Sequence, residues 1–318
     1  RCDLRMHVVG DIGGGAAGLF CAIEAGKRGR KVLVIEHNPQ VGKKILISGG
    51  GRCNFTNLAT GPENFISENP HFCKSALARF TPEDFIQLVR KYRIEYYQKK
   101  LGQLFCRESS RQIVDMLLAE CRRAGVEVRT GVRVDSLTRP DDFEINTAAG
   151  KFKAKTVVVA TGGLSYPKVG ASDLGYTIAR QFGLDLTKTR PSLVALVRKN
   201  APNAKALAGI SLDAEVSTGS HSFRENILFT HRGLSGPAIL QISNYWTPSV
   251  PVEIDLLPGQ SLHELLTKER HRSQRASNFI SELLPHRFVE RFVEDNFPDR
   301  PLDKLSDREI EFAAAAVH

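Results

Sequence analysis

The sequence predicts an α/β fold, Rossmann-like over residues 1–190, on three observations. An apolar run (Val8, Val9, Ile12) meets the glycine turn Gly13-Gly14-Gly15-Ala16-Ala17-Gly18, which opens a helical pattern, and a second apolar run from Lys31 to Ile35 ends on Glu36. Further on, Thr156 to Ala160 is a continuous β-branched run that ends in Thr161-Gly162-Gly163. After Arg190-Pro191 the texture changes to short strand-like runs and then, from Ser261, to helical spacing. The first observation is strand, glycine turn, helix, strand and acid, the unit that grips the ADP half of a dinucleotide. The second reads as a strand buried on both faces, returning to a parallel sheet with its carboxyl end at the same crevice. The third marks a second domain over 191–318, β-rich over 191–258 and helical over 259–318.

Each part of the glycine unit has a physical task. Gly13 permits the tight turn, Gly15 lets the main chain approach a pyrophosphate, and Gly18 lets helix and strand pack closely. Ala16 and Ala17 sit in the first helical turn, where free N–H groups and the helix dipole favour an anion. Glu36, 18 residues beyond Gly18, is placed to accept from ribose hydroxyls and to disfavour a 2′-phosphate. NAD and FAD both satisfy this pattern. Gly10 and Asp11 stand where β-branched residues are expected, which implies a strand that ends early in a bulge or an irregular stretch.

Residues 37–61 read as a long connection. Three consecutive glycines in Ser48-Gly49-Gly50-Gly51-Arg52-Cys53-Asn54 suit a main chain pressed against a ligand. Lys43, Lys44 and Arg52 are candidates to neutralise phosphates, with Asn54 and Thr56 as neutral hydrogen-bonding groups. Residues 62–98 read as helical, with Thr81-Pro82-Glu83 as a helix start. Gln103 to Cys106 is strand-like, and Ser109-Ser110 is placed to cap a helix with the apolar face Ile113, Val114, Leu117, Leu118 and Cys121, ended by Gly125. Strands follow at Val126 to Arg129, Val132 to Leu137 and Phe143 to Thr147. Gly170 to Tyr176 opens a helix through Arg180; Asp173 is placed either to cap it or to face the ligand, with the cap favoured. In the second domain, Ser192 to Val197, Ile210 to Val216, Arg224 to Phe229 and Val252 to Leu256 read as strands. Leu234-Ser235-Gly236-Pro237 opens an apolar helix from Ala238 to Tyr245, and Pro285, Pro298 and Pro301 punctuate the helical end.

The composition is that of an ordinary globular protein: 318 residues, 42% hydrophobic and 25% charged. No stretch has the length of a transmembrane helix and no signal-peptide pattern opens the chain, so a cytoplasmic setting is expected. Six scattered cysteines (Cys2, Cys21, Cys53, Cys73, Cys106, Cys121) lack metal-ligand spacing and fit a reduced compartment. The formal charge is +9, mostly dispersed, and its one dense run, Lys268 to Arg275, reads as a solvated helix face. Nucleic acid is therefore not the expected partner.

The motifs ISGGGRCNFTN, KLGQLFC, VVVATGG, SYPKVGASDLGY and LFTHRGLSGPAILQIS together resemble the bacterial YhiN/BaiN-type flavoproteins, over residues 7 to 318. That family includes aminoacetone oxidases and a bile-acid 3-dehydro-4-ene reductase. The resemblance implies FAD, a Rossmann-like FAD-binding domain, and an inserted domain made of a β-rich and a helical part. It places the cofactor on Gly13, Gly15, Ala16, Ala17, Gly18, Glu36, Lys43, Lys44, Ser48, Gly49, Gly50, Gly51, Arg52, Asn54, Val134, Thr161, Gly162 and Gly163, with the Val134 backbone reading the adenine edge. Relatives continue beyond Ala313-Ala314-Ala315-Ala316-Val317-His318 with a segment that closes the flavin site, so the chain is expected to lack it.

The resemblance implies an FAD-dependent oxidoreductase acting on a small organic substrate held between the two domains. The flavin carries the redox step, so no catalytic triad or metal cluster is needed. His231, Cys53 and Tyr166 are the candidate acid–base or redox side chains. No second GxGxxG appears after residue 60, which leaves NAD(P)H as a transient reductant or the substrate itself as electron donor. Two alternatives stand beside this reading: a flavin-binding RNA-associated or regulatory protein using the basic run, and a non-catalytic fragment.

Overall fold

The computed structural model describes residues 7–198, 204–296 and 299–318; Cys2 and Pro298 lie outside them. The chain divides into two compact units, residues 1–187 and 188–318.

The first unit is built on a six-stranded sheet. Its opening elements are β1 (His7–Ile12), α1 (Ala16–Lys27) and β2 (Val32–Ile35), followed by α2 (Lys43–Ile47) and β3 (Asn54–Asn57). Then come α3 (Lys74–Arg79), α4 (Pro82–Lys91), β4 (Tyr96–Gln98), β5 (Gln103–Cys106) and α5 (Arg111–Arg123). The unit closes with β6 (Glu127–Arg129), β7 (Val134–Thr138), β8 (Phe143–Thr147), β9 (Gly150–Val159) and α6 (Leu174–Gln181). The sheet order is β6-β2-β1-β9-β8-β7. β6, β2, β1 and β9 run parallel, while β8 and β7 form an antiparallel meander beside β9. All four residues of β2 are buried, as an apolar run inside a covered parallel sheet requires.

Gly10 and Asp11 do not interrupt β1. The strand pairs without a register break against both neighbours, Gly10 opposite Leu33 and Val157, and Asp11 opposite Val34 and Val158. The expected bulge is absent because Gly10 makes room: a Cβ there would come within 2.8 Å of Ile145 Cδ1.

Three other expectations are corrected. Residues 37–61 are not mere connection, since they hold α2, a short 3-10 turn over Ser48–Gly51, and β3. The helical reading of 62–98 fails at β4, which pairs with β5 through a Tyr97–Phe105 stack at 5.9 Å. The run Thr156 to Ala160 is not covered on both faces. Val159 is 42% exposed because the end of β9 opens onto a crevice that Val159 itself lines.

One buried carboxylate ties the helices of this unit together. Glu120 on α5 accepts from Lys91 Nζ at 2.8 Å, Tyr92 Oη at 2.6 Å and Arg123 at 3.2 Å. Burial alone would push its carboxyl up, but these donors, Lys91 and Tyr92 foremost, hold it down to about 2. A carboxyl whose pKa falls on folding stabilises the fold above its unfolded value, and that stability is lost as pH drops from about 4.5 towards about 2. The expected contribution is about 1–3 kcal/mol, discounted because Lys91 and Arg123 are more than half exposed. In urea titrations between pH 7 and pH 2, Glu120→Gln should lack this part of the acid destabilisation. Parallel pH profiles for the two proteins would refute the assignment.

The second unit is a five-stranded antiparallel sheet, order β10-β13-β12-β11-β14, with helices around it. Along the chain it runs β10 (Leu196–Val197), α7 (Ala204–Leu207), β11 (Ser211–Thr218), β12 (His221–Thr230), β13 (Gly233–Ser235), α8 (Pro237–Ile242) and β14 (Glu253–Asp255). Helices α9 (Leu262–Lys268), α10 (Ala276–Ile280), α11 (His286–Asn296) and α12 (Asp307–Val317) complete it. Strand and helix residues share one core, in which Ala214, Val216, Ile227, Ile239, Ile242, Leu262 and Ile280 are all sealed from solvent. β10 is shorter than the run 192–197 suggests. The N–H groups of Leu193 and Val194 donate instead to the side chains of Asn244 and Ser243.

The basic run is also corrected, because α9 ends at Lys268 and the rest of the run links α9 to α10. Arg270 pairs with Asp307, Arg272 with Glu269 and Arg275 with Asp299. These arginines brace the unit. No helix among the described residues is long and apolar enough to cross a membrane.

Candidate functional site

A crevice of about 1140 Å³ opens at the carboxyl ends of β1, β2 and β9. That is the end of a parallel sheet where ligands bind, at the point where the chain crosses to opposite sides of β1. The volume exceeds the ~300–1,000 Å³ usual for drug-sized ligands. It suits an extended dinucleotide better than a small metabolite.

The glycine turn forms one wall. Gly13 has φ 124° and its N–H donates to the Ile35 carbonyl at 2.9 Å. A Cβ on Gly13 would stand 2.4 Å from the Ala160 carbonyl oxygen, so only glycine lets this turn lie against the end of β9. Gly15 differs. Its backbone is extended (φ −86°, ψ −169°), and a Cβ there would meet nothing within 4 Å. Gly15, Ala16 and Ala17 line the crevice at the start of α1, and Gly18 is buried behind them.

Glu36 at the end of β2 is 6% exposed and already engaged. Its Oε2 accepts from the Gly14 N–H at 2.8 Å. Its Oε1 accepts from the Asn38 main-chain N–H and side-chain amide, both at 2.8 Å, with His37 Nδ1 at 3.1 Å. A carboxylate oxygen offers about two lone-pair positions, so Oε1 is saturated and Oε2 has one left. Glu36 therefore fixes the turn and the His37-Asn38 bend as well as bordering the crevice. Gly14 is the partner sequence reasoning missed: a Cβ there would press 2.7 Å from Val41 and 3.0 Å from the Glu36 side chain.

The rest of the lining comes from Val134 at the start of β7, from Thr161, Gly162 and Gly163 after β9, and from the start of α6. Lys44 reaches across, its Nζ donating to the Gly163 carbonyl at 3.3 Å and to Ser165 Oγ at 3.1 Å. Lys43, Lys44 and Arg133 bring positive charge to the lining, and Glu36, Asp135 and Asp173 bring negative charge. Asp173 occupies the N-cap position of α6 without a side-chain cap bond, so its favoured role as a capping side chain is not observed. Asp173 lines the crevice, the other role the sequence left open for it, whereas Arg133, Asp135, Ser172 and the residues Leu174 to Thr177 were not foreseen as lining. Only the fold brings them there, because nothing in their local pattern points to a ligand.

The loop Ser48 to Asn54 does not line the crevice, whose lining along this stretch ends at Ile45. Gly49, Gly50 and Gly51 all have positive φ, and Gly49 is required because a Cβ would strike the Asn54 nitrogen and the Phe105 ring, both at 2.8 Å. The expected phosphate role of Arg52 meets a competing partner, since its guanidinium donates to the Arg107 carbonyl. Asn54, with its amide oriented to satisfy both groups, donates to the Leu104 and Thr56 carbonyls.

None of the three candidate reactive side chains lines the crevice. Cys53 is buried, which pushes its thiol pKa up against a smaller lowering by Ser48. Its neighbour Cys106 is likewise raised, to about 11, by burial. Such thiols are protonated and inert at neutral pH. Tyr166 is 66% exposed, and His231 is exposed in the turn between β12 and β13.

The chain is 47% identical over 305 residues to the ribosomal RNA dihydrouridine synthase of Escherichia coli (strain K12), covering 94% of this chain and 76% of that protein. It is 45% identical over 317 residues to the protein of the same name from Haemophilus influenzae, covering 96% and 79%. A third relative, the 3-dehydro-bile acid delta(4,6)-reductase of Clostridium scindens, is 30% identical over 315 residues, covering 94% and 75%. The model of the HI0933-like protein Rossmann domain matches residues 7–267, and the chain belongs to that HI0933-like Rossmann family.

Proposed function

We propose that this chain is an FAD-dependent oxidoreductase that reduces a carbon–carbon double bond conjugated to a carbonyl, with uridine in ribosomal RNA as its substrate. The observation that carries the cofactor is the Gly15 cradle. Open space lies where a side chain would stand, at the start of α1, within a crevice of dinucleotide size that the start of α6 also lines. The free N–H groups at the start of α1 suit a pyrophosphate. In this reading Gly13 to Ala17 hold the phosphates, the free position on Glu36 Oε2 accepts a ribose hydroxyl, and the Val134 backbone meets the adenine. Lys43, Lys44 and Gly162-Gly163 border the path towards the flavin, and the Ser48 to Asn54 loop lies beyond.

When bound and reduced, FAD supplies a hydride; with a proton from an acid, that saturates one C=C bond. The substrate reading draws on the relatives. Two are named for making dihydrouridine in ribosomal RNA. The third is named as reducing a 3-dehydro bile acid, also an alkene conjugated to a carbonyl. The identity of 45–47% over nearly the whole chain favours RNA over a steroid. The net charge of +9 is compatible with a polyanion. NAD(P)H is proposed as the reductant.

The test uses the full chain loaded with FAD, reduced with NADPH or dithionite without oxygen, and mixed with protein-free ribosomal RNA lacking dihydrouridine. Dihydrouridine should appear in the nuclease digest by mass spectrometry, together with oxidation of the flavin. Absence of both with RNA, but flavin oxidation with a small enone, would remove the RNA reading and leave the reductase.

A further inference from the structure

The hairpin between β4 and β5 ends in Lys99-Lys100-Leu101-Gly102, closed by the Lys99 N–H donating to the Gln103 carbonyl at 2.8 Å. Leu101 (φ 56°, ψ 30°) and Gly102 (φ 76°) are both left-handed. Asn-Gly adopts two successive positive φ values readily; a leucine in the first position is strained. Burial does not offset that strain, since Leu101 is 67% exposed. The tip is nevertheless held in place. Asn57 Nδ2 donates to the Leu101 carbonyl at 2.9 Å, and the Leu58 N–H donates to the Gly102 carbonyl at 3.0 Å. Leu58, beside it, is 50% exposed.

Charge surrounds this apolar tip. Lys99 Nζ stands 4.3 Å from the Phe105 ring centroid, and Lys100 is exposed. Neither lysine has an acidic partner among the described residues. None of the tip residues lines the crevice. A fixed, strained, solvent-facing leucine flanked by cations without acidic partners has no account in the stability of the unit. Strain of this kind persists where a surface is preorganised for a ligand, because a rigid tip loses little entropy on binding.

We infer that this tip is an RNA contact, an inference that rests on the reading of ribosomal RNA as substrate. Lys99 and Lys100 meet backbone phosphates, and Leu101 with Leu58 lies against an unstacked base of a loop or single strand.

The test measures binding of the FAD-loaded full chain to protein-free ribosomal RNA between about 50 and 200 mM salt. Leu101→Asn keeps a residue that tolerates the left-handed region. It should leave the thermal midpoint unchanged or raised while weakening RNA binding about fivefold, the worth of part of one leucine leaving water. A leucine with a merely structural role would show the opposite pattern. Lys99→Gln combined with Lys100→Gln should reduce the slope of log affinity against log salt by about 1.4–1.8, two phosphate contacts at about 0.7–0.9 each. FAD content should not change in either variant. If both variants bind with wild-type affinity and slope while the wild type binds and modifies RNA, the tip is overturned and the substrate reading stands. If the wild type neither binds nor modifies RNA, both are overturned.

Discussion

Gly15→Val should yield a protein that folds like the wild type and does not hold FAD. The two halves of this expectation come from different observations. The backbone at Gly15 is extended, a conformation valine adopts freely, and the added Cβ meets no atom within 4 Å. Stability should therefore change by no more than about 0.5 kcal/mol, as for a substitution away from packed structure. The same emptiness is the space in which a pyrophosphate would approach the N–H groups of Gly15, Ala16 and Ala17. Blocking two such charge-assisted hydrogen bonds, at about 1.5–3 kcal/mol each, lowers affinity at least about a hundredfold. Gly13→Ala is the informative contrast. Its Cβ would overlap the Ala160 carbonyl in a backbone of φ 124°, so the turn itself should fail with or without cofactor. FAD titration into apo-protein, monitored by quenching of flavin fluorescence alongside urea denaturation, separates the two. Wild-type FAD affinity in Gly15→Val would remove the cofactor from this wall of the crevice.

The glycine turn was legible in sequence because its requirements are local. A turn, a helix start and an acid at a set distance leave their mark on consecutive residues. Thr156 to Ala160 was legible as a strand for the same reason, but its exposure was not. Whether Val159 is covered depends on what stands opposite the end of β9, and no residue near it in sequence records that. Gly10 shows the converse error. Read alone, it looks like a defect in a strand; in the sheet it makes room for Ile145, which lies 135 residues away. The role of Glu36 was half legible, since its distance from Gly18 marks the acid but not the Gly14, His37 and Asn38 contacts that occupy most of its carboxylate. Cys53 was only a candidate redox side chain beside three glycines, and its burial against β5 is a tertiary fact. Leu101 carried no signal, because a leucine between lysine and glycine gives no sign of a left-handed backbone.

The motif Leu234 to Gln241 in the second unit stands out as strongly as the glycine turn, yet its clearest demand is steric. Gly236→Ala should destabilise that unit by about 3–5 kcal/mol, at the upper end of single substitutions. Gly236 has φ 94° and ψ 164°, close to a region open essentially to glycine alone. Its Cβ would stand 2.7 Å from the Asn226 carbonyl oxygen and the Leu228 nitrogen, and 2.8 Å from the Ile227 carbonyl carbon. All three are main-chain atoms of β12, which is paired on both sides by β11 and β13 and cannot retreat without breaking a ladder. The close approach is what seats α8 on the sheet, where Ala238, Ile239 and Ile242 are sealed from solvent. Gly219→Ala isolates the steric part. Gly219 is also left-handed, at φ 56°, but nothing lies within 4 Å of its Cβ, so it should cost only the backbone term of about 1–2 kcal/mol. Trp246, the single tryptophan of the chain, lies in this unit and reports its unfolding by fluorescence. A urea midpoint for Gly236→Ala no lower than that of Gly219→Ala would show that β12 yields, and the motif would then need a reason other than packing.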